Sequence, residues 1–358
     1  MTWDYYGMKD LYYLALNIYQ FSYLKPLYKE VGGDFIVHKP RSLIQLKQNF
    51  YGFPSKNPTR GWLGMQPKTR YMDYQDYSKL SGVMVSSIQF DYERVPEELT
   101  TINTGHGTGY KPPRDRDRAD FDYYFLDGPM RYDKLMNIVG LDLSEDQMIK
   151  IGNMRFDKVV NGEMDRDKIL DDFGVKDKSR PNVVYAPTWK WGGGTLLEHS
   201  YKFIDDLTDD YNLFIRPHYY DWRKMKHIKK YLKKNGSKHV YLVEPWNIRT
   251  KDTMENLAIA DLLISDNSSV AYQSLIFQTP ILIVDVEDDK IVEKPDKYDI
   301  RGIVDHWDEN RPIKPLVDEN IRENKYESEL KDMLDNCFYF NDGKCTERAV
   351  EFLGKLGV

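Results

Sequence analysis

Short apolar runs alternate with helical segments along the whole chain, and this alternation limits the fold more than any other feature. The second half carries strand-like runs at 183–189, 212–218, 239–244, 262–266 and 280–286. The first half predicts a helix over 10–31 and strands at 34–38, 81–88, 122–128 and 147–160, with a further strand ending in the loop at 100–111. Short, continuously apolar strands separated by helices are typical of parallel sheets covered on both faces.

The chain is long enough for two such domains. Its 358 residues exceed one ordinary core and suit two domains of about 150 residues each. A polar stretch at 161–182 separates the halves. We therefore predict an α/β fold with two doubly wound parallel-sheet domains facing a cleft, the first over 1–165 and the second over 166–340, followed by a C-terminal helical segment at 341–358.

Composition excludes several classes of function. The net charge of −6 disfavours nucleic acid as a partner. The two cysteines, Cys337 and Cys345, have neither metal-ligand spacing nor enough partners for a disulfide framework, so a reducing cytoplasm and no metal site are expected. The N-terminus lacks the pattern of a signal peptide, and no run approaches the ~20 apolar residues of a membrane span.

Polar residues follow the predicted strands at the point where each strand ends. Ligands of open parallel sheets bind outside the carboxyl ends of the strands, so these residues are the candidates for a site. They are Gly105–Gly109, Thr188–Lys190, Arg216–His218, Glu244 and Ser265–Ser269.

The segment "SDNSS" at 265–269 has two interpretations. Asp266, Asn267 or Ser268 could cap the following helix and do nothing else. Alternatively, the exposed N–H groups of the helix start, together with the hydroxyls of Ser268 and Ser269, bind a diphosphate. The position of the segment in a nucleotide-binding type of domain favours the second interpretation.

The histidines at two strand ends suit transfer chemistry. His106 lies in a glycine-rich loop and has the intrinsic pKa of a general base, although a lone histidine in a turn is commonly without function. Arg216 and His218 could contact phosphate oxygens, and the alternative for Arg216 is an ordinary ion pair. The basic run at 223–238 is predicted to be a solvated helix face, or else to contact an anionic membrane or a polyanionic acceptor.

Five segments occur in an order that resembles one known family. They are "HGT" at 106–108 with Lys111 three residues on, "YAPTW" at 185–189, "IRPH" at 215–218, the stretch at 260–285 and "YDIRG" at 298–302. This set is similar to the CDP-glycerol glycerophosphotransferases, the teichoic-acid primases and polymerases, over roughly 100–302.

The resemblance implies a GT-B architecture with two Rossmann-like domains, in which the C-terminal helix returns to the first. It implies that an acceptor hydroxyl attacks the glycerol-bearing phosphorus of a CDP-activated polyol and releases CMP. The acceptor would be lipid-linked or polymeric, which places the enzyme in the cytoplasm, at the inner face of the membrane. No resident cofactor is implied, and an assisting Mg²⁺ is left open.

The resemblance also assigns residues. His106 corresponds to the base and His218 to a second essential histidine near the diphosphate. Arg216, Asn267, Ser268 and Ser269 correspond to donor-phosphate contacts. Further cleft residues are Thr108, Lys111, Thr188, Lys190, Glu244, Gln273 and Arg301. The chain departs from the family pattern at Gly109-Tyr110, Asn267, Gln273 and Tyr219, which leaves a CDP-ribitol or nucleotide-sugar donor open.

Three other functions fit the same fold. A GT-B glycosyltransferase would use a nucleotide sugar and release a nucleoside diphosphate. A nucleotide-sugar epimerase would need no polymer acceptor. A degenerate transferase kept as a scaffold would tolerate loss of His106, whereas a transferase should lose about 10²–10⁴-fold in turnover.

Overall fold

The computed structural model describes residues 9–51, 67–73, 76–88, 95–106, 110, 121–189, 193–244, 252–287 and 293–358. These residues form two compact units. The first draws on Met1–His106, Pro112–Asn161 and Phe338–Val358, and the second on Gly107–Lys111 and Gly162–Cys337.

The strands and helices follow one another in the order that the apolar runs predict, with additions. The strands are β1 Leu11–Leu14, β2 Asp34–Val37, β3 Lys68–Tyr71, β4 Gly82–Ser86, β5 Leu99–Asn103, β6 Tyr123–Leu126, β7 Met148–Lys150, β8 Asn182–Tyr185, β9 Asn212–Ile215, β10 Val240–Leu242, β11 Leu262–Ser265, β12 Ile281–Val284 and β13 Asp305–Trp307. The α-helices are α1 Ile18–Val31, α2 Pro40–Tyr51, α3 Pro129–Asp133, α4 Asp157–Val160, α5 Arg166–Asp172, α6 Leu196–Leu207, α7 Met225–Asn235, α8 Thr253–Leu257, α9 Val270–Ser274, α10 Lys314–Glu323, α11 Glu327–Cys337 and α12 Cys345–Lys355.

Shorter helical turns join some of these elements. A π-helical segment, Lys134–Val139, continues α3. The 3-10 turns are Glu145–Gln147, Tyr219–Lys224, Leu275–Phe277, Asp296–Tyr298 and Ile300–Ile303. The turn Tyr219–Lys224 leads directly into α7 and extends that helix toward the end of β9.

The first unit contains a seven-stranded sheet, within the residues that the structure describes, in the order β3-β2-β1-β4-β5-β6-β7. All of its strand pairs are parallel. The order reverses between β1 and β4, which is the switch point where doubly wound sheets bind ligands. Helices α1 and α12 share one apolar core with this sheet, in which Phe21 and Leu24 lie among the same buried residues as Ala349 and Leu353.

The prediction of one helix over residues 10–31 was wrong at its start. Leu11–Leu14 is a fully buried strand between β2 and β4. A run of four apolar residues fits either a strand or a buried helix, and burial on both faces decides for the strand. The helix begins after Asn17, whose backbone N–H donates to Gln20 Oε1 at 2.8 Å. A capping residue with glutamine three positions later is a helix-start signal.

The remaining differences concern sheet edges. The strand expected at 147–160 is confined to Met148–Lys150, and Asp157–Val160 forms α4. β3 and β13 were not predicted, and both are edge strands. Their sequences, "KTRY" and "DHW", carry charge and show little alternation of apolar and polar residues. An edge strand is buried on fewer sides than a central strand, and polar residues there discourage pairing with other chains.

The second unit contains a six-stranded parallel sheet, as far as the structure is described, in the order β10-β9-β8-β11-β12-β13. Its switch point lies between β8 and β11, which pair in parallel from Leu262 opposite Val183 to Ile264 opposite Tyr185. Four of its strands are buried along their whole length, which explains their continuous apolar sequences.

Of the helices that the structure describes, none combines the length and the apolar character needed to cross a membrane.

Candidate functional site

The segment "SDNSS" lies at the switch point of the second sheet. Ser265 ends β11, and Ala186 follows the neighbouring β8. The Ser265 hydroxyl donates to the Ala186 carbonyl oxygen at 3.0 Å, so the two strand ends are tied together. The start of the segment is thus fixed to the edge of the sheet where ligands of such folds bind.

Asp266 is the anchor of this region and not a helix cap. Its side chain is 3% exposed. One carboxylate oxygen accepts from the Thr188 N–H at 2.7 Å, and the other accepts from the N–H and the hydroxyl of Thr195, both at 3.2 Å. Asp266 therefore joins the end of β11 to the loop after β8 and to the start of α6.

The next three residues form the turn into α9. The Val270 N–H donates to the hydroxyl of Ser268, which is buried, at 3.4 Å. Asn267 and Ser269 are partly exposed, and the Ser269 side chain makes no capping bond. Because α9 has five residues before it tightens into the turn Leu275–Phe277, its dipole is weaker than that of a longer helix. Hydroxyls and backbone N–H groups, more than the helix dipole, are therefore what this turn offers to an anion.

His218 follows β9, the neighbour of β8. Its Nδ1 accepts from the Tyr220 backbone N–H at 3.2 Å. An atom that accepts carries no proton, so the neutral ring has its proton on Nε2. His218 thus presents an N–H donor at Nε2, which suits a phosphate oxygen better than it suits proton abstraction.

Arg216 stands two residues earlier at the same strand end. Its backbone N–H donates to the Tyr185 carbonyl oxygen at 2.9 Å, and its Nη2 donates to Thr253 Oγ1 at 2.7 Å. The partner Thr253 is a neutral hydroxyl at the start of α8. This hydrogen bond fixes the position of the guanidinium at the end of β9.

Aromatic rings cover the ends of β8 and β9. Trp189 lies 6.2 Å from the His218 ring in a stacked arrangement and 5.2 Å from the Tyr220 ring. Gly194 packs closely against Thr188, because a Cβ on Gly194 would lie 2.1 Å from the Thr188 carbonyl oxygen. Thr188 itself is 2% exposed, so its backbone supports the loop and its hydroxyl is not a surface group.

The structure also describes three of the predicted cleft residues. Glu244, after the edge strand β10, forms an ion pair with Lys229. Arg301 lies past β12, where its Nη2 is 2.9 Å from Asp285 Oδ1. Gln273 is 4% exposed inside α9. Thr108, Lys111 and Lys190 lie outside the described residues.

In the first unit, His106 lies at the switch point of its own sheet. It is exposed, follows β5, and contacts the Ser87 carbonyl oxygen through Nδ1 at 2.5 Å. Ser87 in turn follows β4, and its N–H donates to the Leu14 carbonyl oxygen at the end of β1 at 3.1 Å. Gln20 Nε2, a donor, also lies 3.4 Å from Nδ1. The Ser87 contact is much the shorter of the two, and a carbonyl oxygen only accepts, so we assign the proton to Nδ1 and the lone pair of the neutral ring to Nε2. That is the tautomer of a general base.

Arg131, which no sequence motif indicates, holds the loop before His106. It donates to the Thr104 carbonyl oxygen and, through Nη2, to Asn103 Oδ1 at 2.6 Å. Gly105 has φ +62°, and a Cβ there would lie 2.3 Å from Arg131 Nη1. Burial raises the pKa of Asp127, one turn before Arg131, and the Arg131 charge acts in the opposite direction.

Metal binding has no candidate in the part of the chain that the structure describes. No three side chains of His, Cys, Asp or Glu come together there as a set of ligands.

This chain is similar to a known protein family and to several solved structures. The model of the family described as CDP-Glycerol:Poly(glycerophosphate) glycerophosphotransferase matches residues 72–355. A search of curated proteins found no match. A solved His-to-Asn variant of the wall teichoic acid polymerase TagF is 19% identical with a TM-score of 0.68, covering 97% of this chain and 88% of that one.

Two further structures are similar over nearly the whole chain. TagF without a stated substitution has a TM-score of 0.65 at 19% identity, covering 97% of this chain and 88% of its own. The UDP-GlcNAc 2-epimerase from Neisseria meningitidis, bound to UDP-GlcNAc, has a TM-score of 0.60 at 12% identity, covering 97% and 100%. The α/β fold with two Rossmann-like parallel sheets, of the GT-B type, is confirmed, and so is the family resemblance.

Proposed function

Since the chain belongs to the CDP-glycerol:poly(glycerophosphate) glycerophosphotransferase family and is an enzyme of that type, we propose that it transfers glycerol phosphate, or a related polyol phosphate, from a CDP-activated donor. The acceptor is a hydroxyl of a lipid-linked or polymeric molecule, and CMP is released. One observation carries the proposal: hydroxyl and cationic groups gather at the switch point of the second sheet, and a histidine with the tautomer of a base lies at that of the first.

The donor is assigned to the second unit. Ser269, Asn267 and the backbone of their turn donate hydrogen bonds to the diphosphate, and Arg216 supplies positive charge. His218 donates from Nε2 to an oxygen on which negative charge develops. Phosphoryl-type transfer depends on positioning and charge neutralisation more than on covalent chemistry by the protein, and this set of groups supplies both. A variant of TagF has been soaked with CDPG, which supports a CDP-linked donor in this family.

His106 acts as the base in this scheme. Its Nε2 takes the proton of the acceptor hydroxyl as that oxygen bonds to the glycerol-bearing phosphorus. The bond from the same phosphorus to the bridging oxygen of the diphosphate breaks, and CMP leaves with that oxygen and its electron pair. Arg131 and Ser87 fix the loop and the tautomer that this step requires.

The proposed product is a teichoic acid or a capsule-type polymer. Acceptors of this kind are lipid-linked, so the enzyme would work in the cytoplasm, against the inner face of the membrane.

The test is release of CMP from CDP-glycerol in the presence of a soluble glycerol-phosphate acceptor. His106→Gln should lower turnover by about 10²–10⁴-fold, the usual contribution of a general base. His239→Gln is the matched control, because His239 is a partly exposed histidine that precedes the edge strand β10, and it should retain turnover. Equal activity of the two variants, or turnover of UDP-GlcNAc instead of CDP-glycerol, would contradict the proposal.

A further inference from the structure

The segment 223–238 concentrates positive charge in an acidic protein. It contains eight lysines and arginines and no aspartate or glutamate, whereas the whole chain carries a net charge of −6. Most of these cations are exposed, namely Arg223, Lys226, Lys229, Lys230, Lys233, Lys234 and Lys238. We call the exposed lysines Lys226, Lys229, Lys230, Lys233 and Lys234 of α7 the basic face.

The fold arranges these charges in a row. Met225 and Ile228 are buried against the core of the second unit, which turns the opposite side of α7 to solvent. Lys226, Lys230 and Lys234 follow one another at intervals of four residues, so neighbouring side chains lie about 6 Å apart. Like charges at this spacing repel and destabilise a helix. A bound polyanion would remove that repulsion.

A concave pocket lies at the N-terminal end of the basic face. It is open to solvent, has a volume of about 400 Å³ and is lined by Trp222, Arg223, Met225, Lys226, Lys229 and Glu244. The Arg223 guanidinium lies over the Trp222 ring at 5.4 Å, and Glu244 is neutralised by Lys229. The lining therefore offers cations beside an aromatic surface, a combination that suits phosphate groups joined by short carbon chains.

The pocket is continuous with the proposed donor site along the chain. The 3-10 turn Tyr219–Lys224 begins at the residue after His218 and supplies Trp222 and Arg223 to the pocket. A polymer in the pocket would therefore contact residues four and five positions along the chain from His218.

We propose that the pocket and the basic face of α7 bind the phosphodiester chain of the acceptor or product polymer, a proposal that rests on the proposed function. A regular row of cations matches a regular row of phosphates. The geometry favours a chain over a lipid surface, because the apolar side of α7 is buried in the core and has nothing to insert into a bilayer. The concave pocket likewise fits a linear molecule better than a flat one.

Direct binding of fluorescently labelled oligo(glycerol phosphate), in the absence of any nucleotide, tests this. The variant Lys226→Gln/Lys230→Gln/Lys233→Gln should bind a long oligomer about tenfold more weakly than wild type, since each exposed charge pair contributes modestly. Its affinity should also depend less steeply on salt, because fewer counterions are released. The control Lys176→Gln/Lys331→Gln/Lys355→Gln removes the same charge from other exposed positions and should bind as wild type does.

Two results would overturn the inference. One is equal weakening in both triple variants, which would reduce the effect to net charge. The other is wild-type binding to phosphatidylglycerol vesicles without binding to the oligomer, which would assign the surface to a membrane. Because the assay contains no donor, its outcome is independent of whether CDP-glycerol is the substrate: loss of CMP release with intact, α7-dependent oligomer binding would refute the proposed function alone.

Discussion

Replacement of Asp266 by asparagine tests the central geometric finding at the switch point of the second sheet. The carboxylate accepts three hydrogen bonds, one from Thr188 and two from Thr195, and it is almost completely buried. In Asp266→Asn, the amide oxygen can keep the bond from Thr188. The amide nitrogen then faces the Thr195 N–H, donor against donor.

The magnitude follows from these three bonds. One buried N–H loses its acceptor, at about 1–3 kcal/mol, and the remaining bonds lose their charge assistance, so a total of about 2–4 kcal/mol is expected. Ser265→Ala, at the residue before Asp266, provides a milder loss for comparison. It removes one neutral hydrogen bond, to Ala186, and should cost about 1 kcal/mol.

Urea unfolding followed by tryptophan fluorescence is a suitable assay, because five of the seven tryptophans lie between residues 162 and 337. Affinity for CDP-glycerol should fall together with stability, since Asp266 acts by holding the loop that carries Thr188. If Asp266→Asn abolished turnover while leaving the unfolding free energy unchanged, the carboxylate would act on the substrate directly and the anchoring account would be refuted.

Three further predictions concern pH, loop position and close packing. Burial lowers the pKa of His199 below its ordinary 6.5, so the unfolded chain binds a proton more readily, and stability declines as pH falls below that value. His199→Phe should reduce the dependence of the unfolding free energy on pH by up to about 1.4 kcal/mol per pH unit. Urea unfolding of both proteins over a pH series measures this dependence, and an equal dependence in the two proteins would contradict the prediction. Lysine cannot reproduce the paired hydrogen bonds that Arg131 donates to the loop before His106. Arg131→Lys should therefore lower kcat about 10²-fold and leave KM for CDP-glycerol unchanged. Steady-state kinetics measures both constants, and a change in KM alone would contradict a positioning effect. Gly194→Ala should lower the free energy of unfolding by about 1–3 kcal/mol through overpacking. Gly354→Ala, where a Cβ meets open space, should instead raise it by about 0.5–1 kcal/mol. Thermal or urea unfolding measures both, and equal effects of the two substitutions would contradict the prediction.

Local sequence patterns predict the central strands of the second sheet, but they miss the edge strands β3 and β13. The buried strands β8, β9, β11 and β12 are continuous apolar runs, so composition alone locates them. The edge strands β3 and β13 are short and charged, and hydrogen bonding to a distant neighbour defines them. β1 was assigned to a helix because its four apolar residues carry no period, and its place between β2 and β4 is a tertiary property.

The candidate site shows the same limit. The positions of His106, His218 and Ser269 after strands follow from the rule that ligands bind at the carboxyl ends of parallel strands. The anchoring role of Asp266 cannot be predicted from that rule, because its partner Thr188 is 78 residues away in sequence. The contact of Arg131 with Asn103 spans 28 residues and was likewise not predicted.

Calorimetric titration of CDP-glycerol and of UDP-GlcNAc, into wild type and Ser269→Ala, tests whether the turn after β11 holds the diphosphate of a CDP-linked donor. Wild type is expected to bind CDP-glycerol more tightly than UDP-GlcNAc. Ser269→Ala should lose about 1.5–3 kcal/mol of that binding, the contribution of a hydrogen bond to a charged group. A preference for UDP-GlcNAc, or an unchanged affinity for CDP-glycerol in the variant, would contradict this assignment.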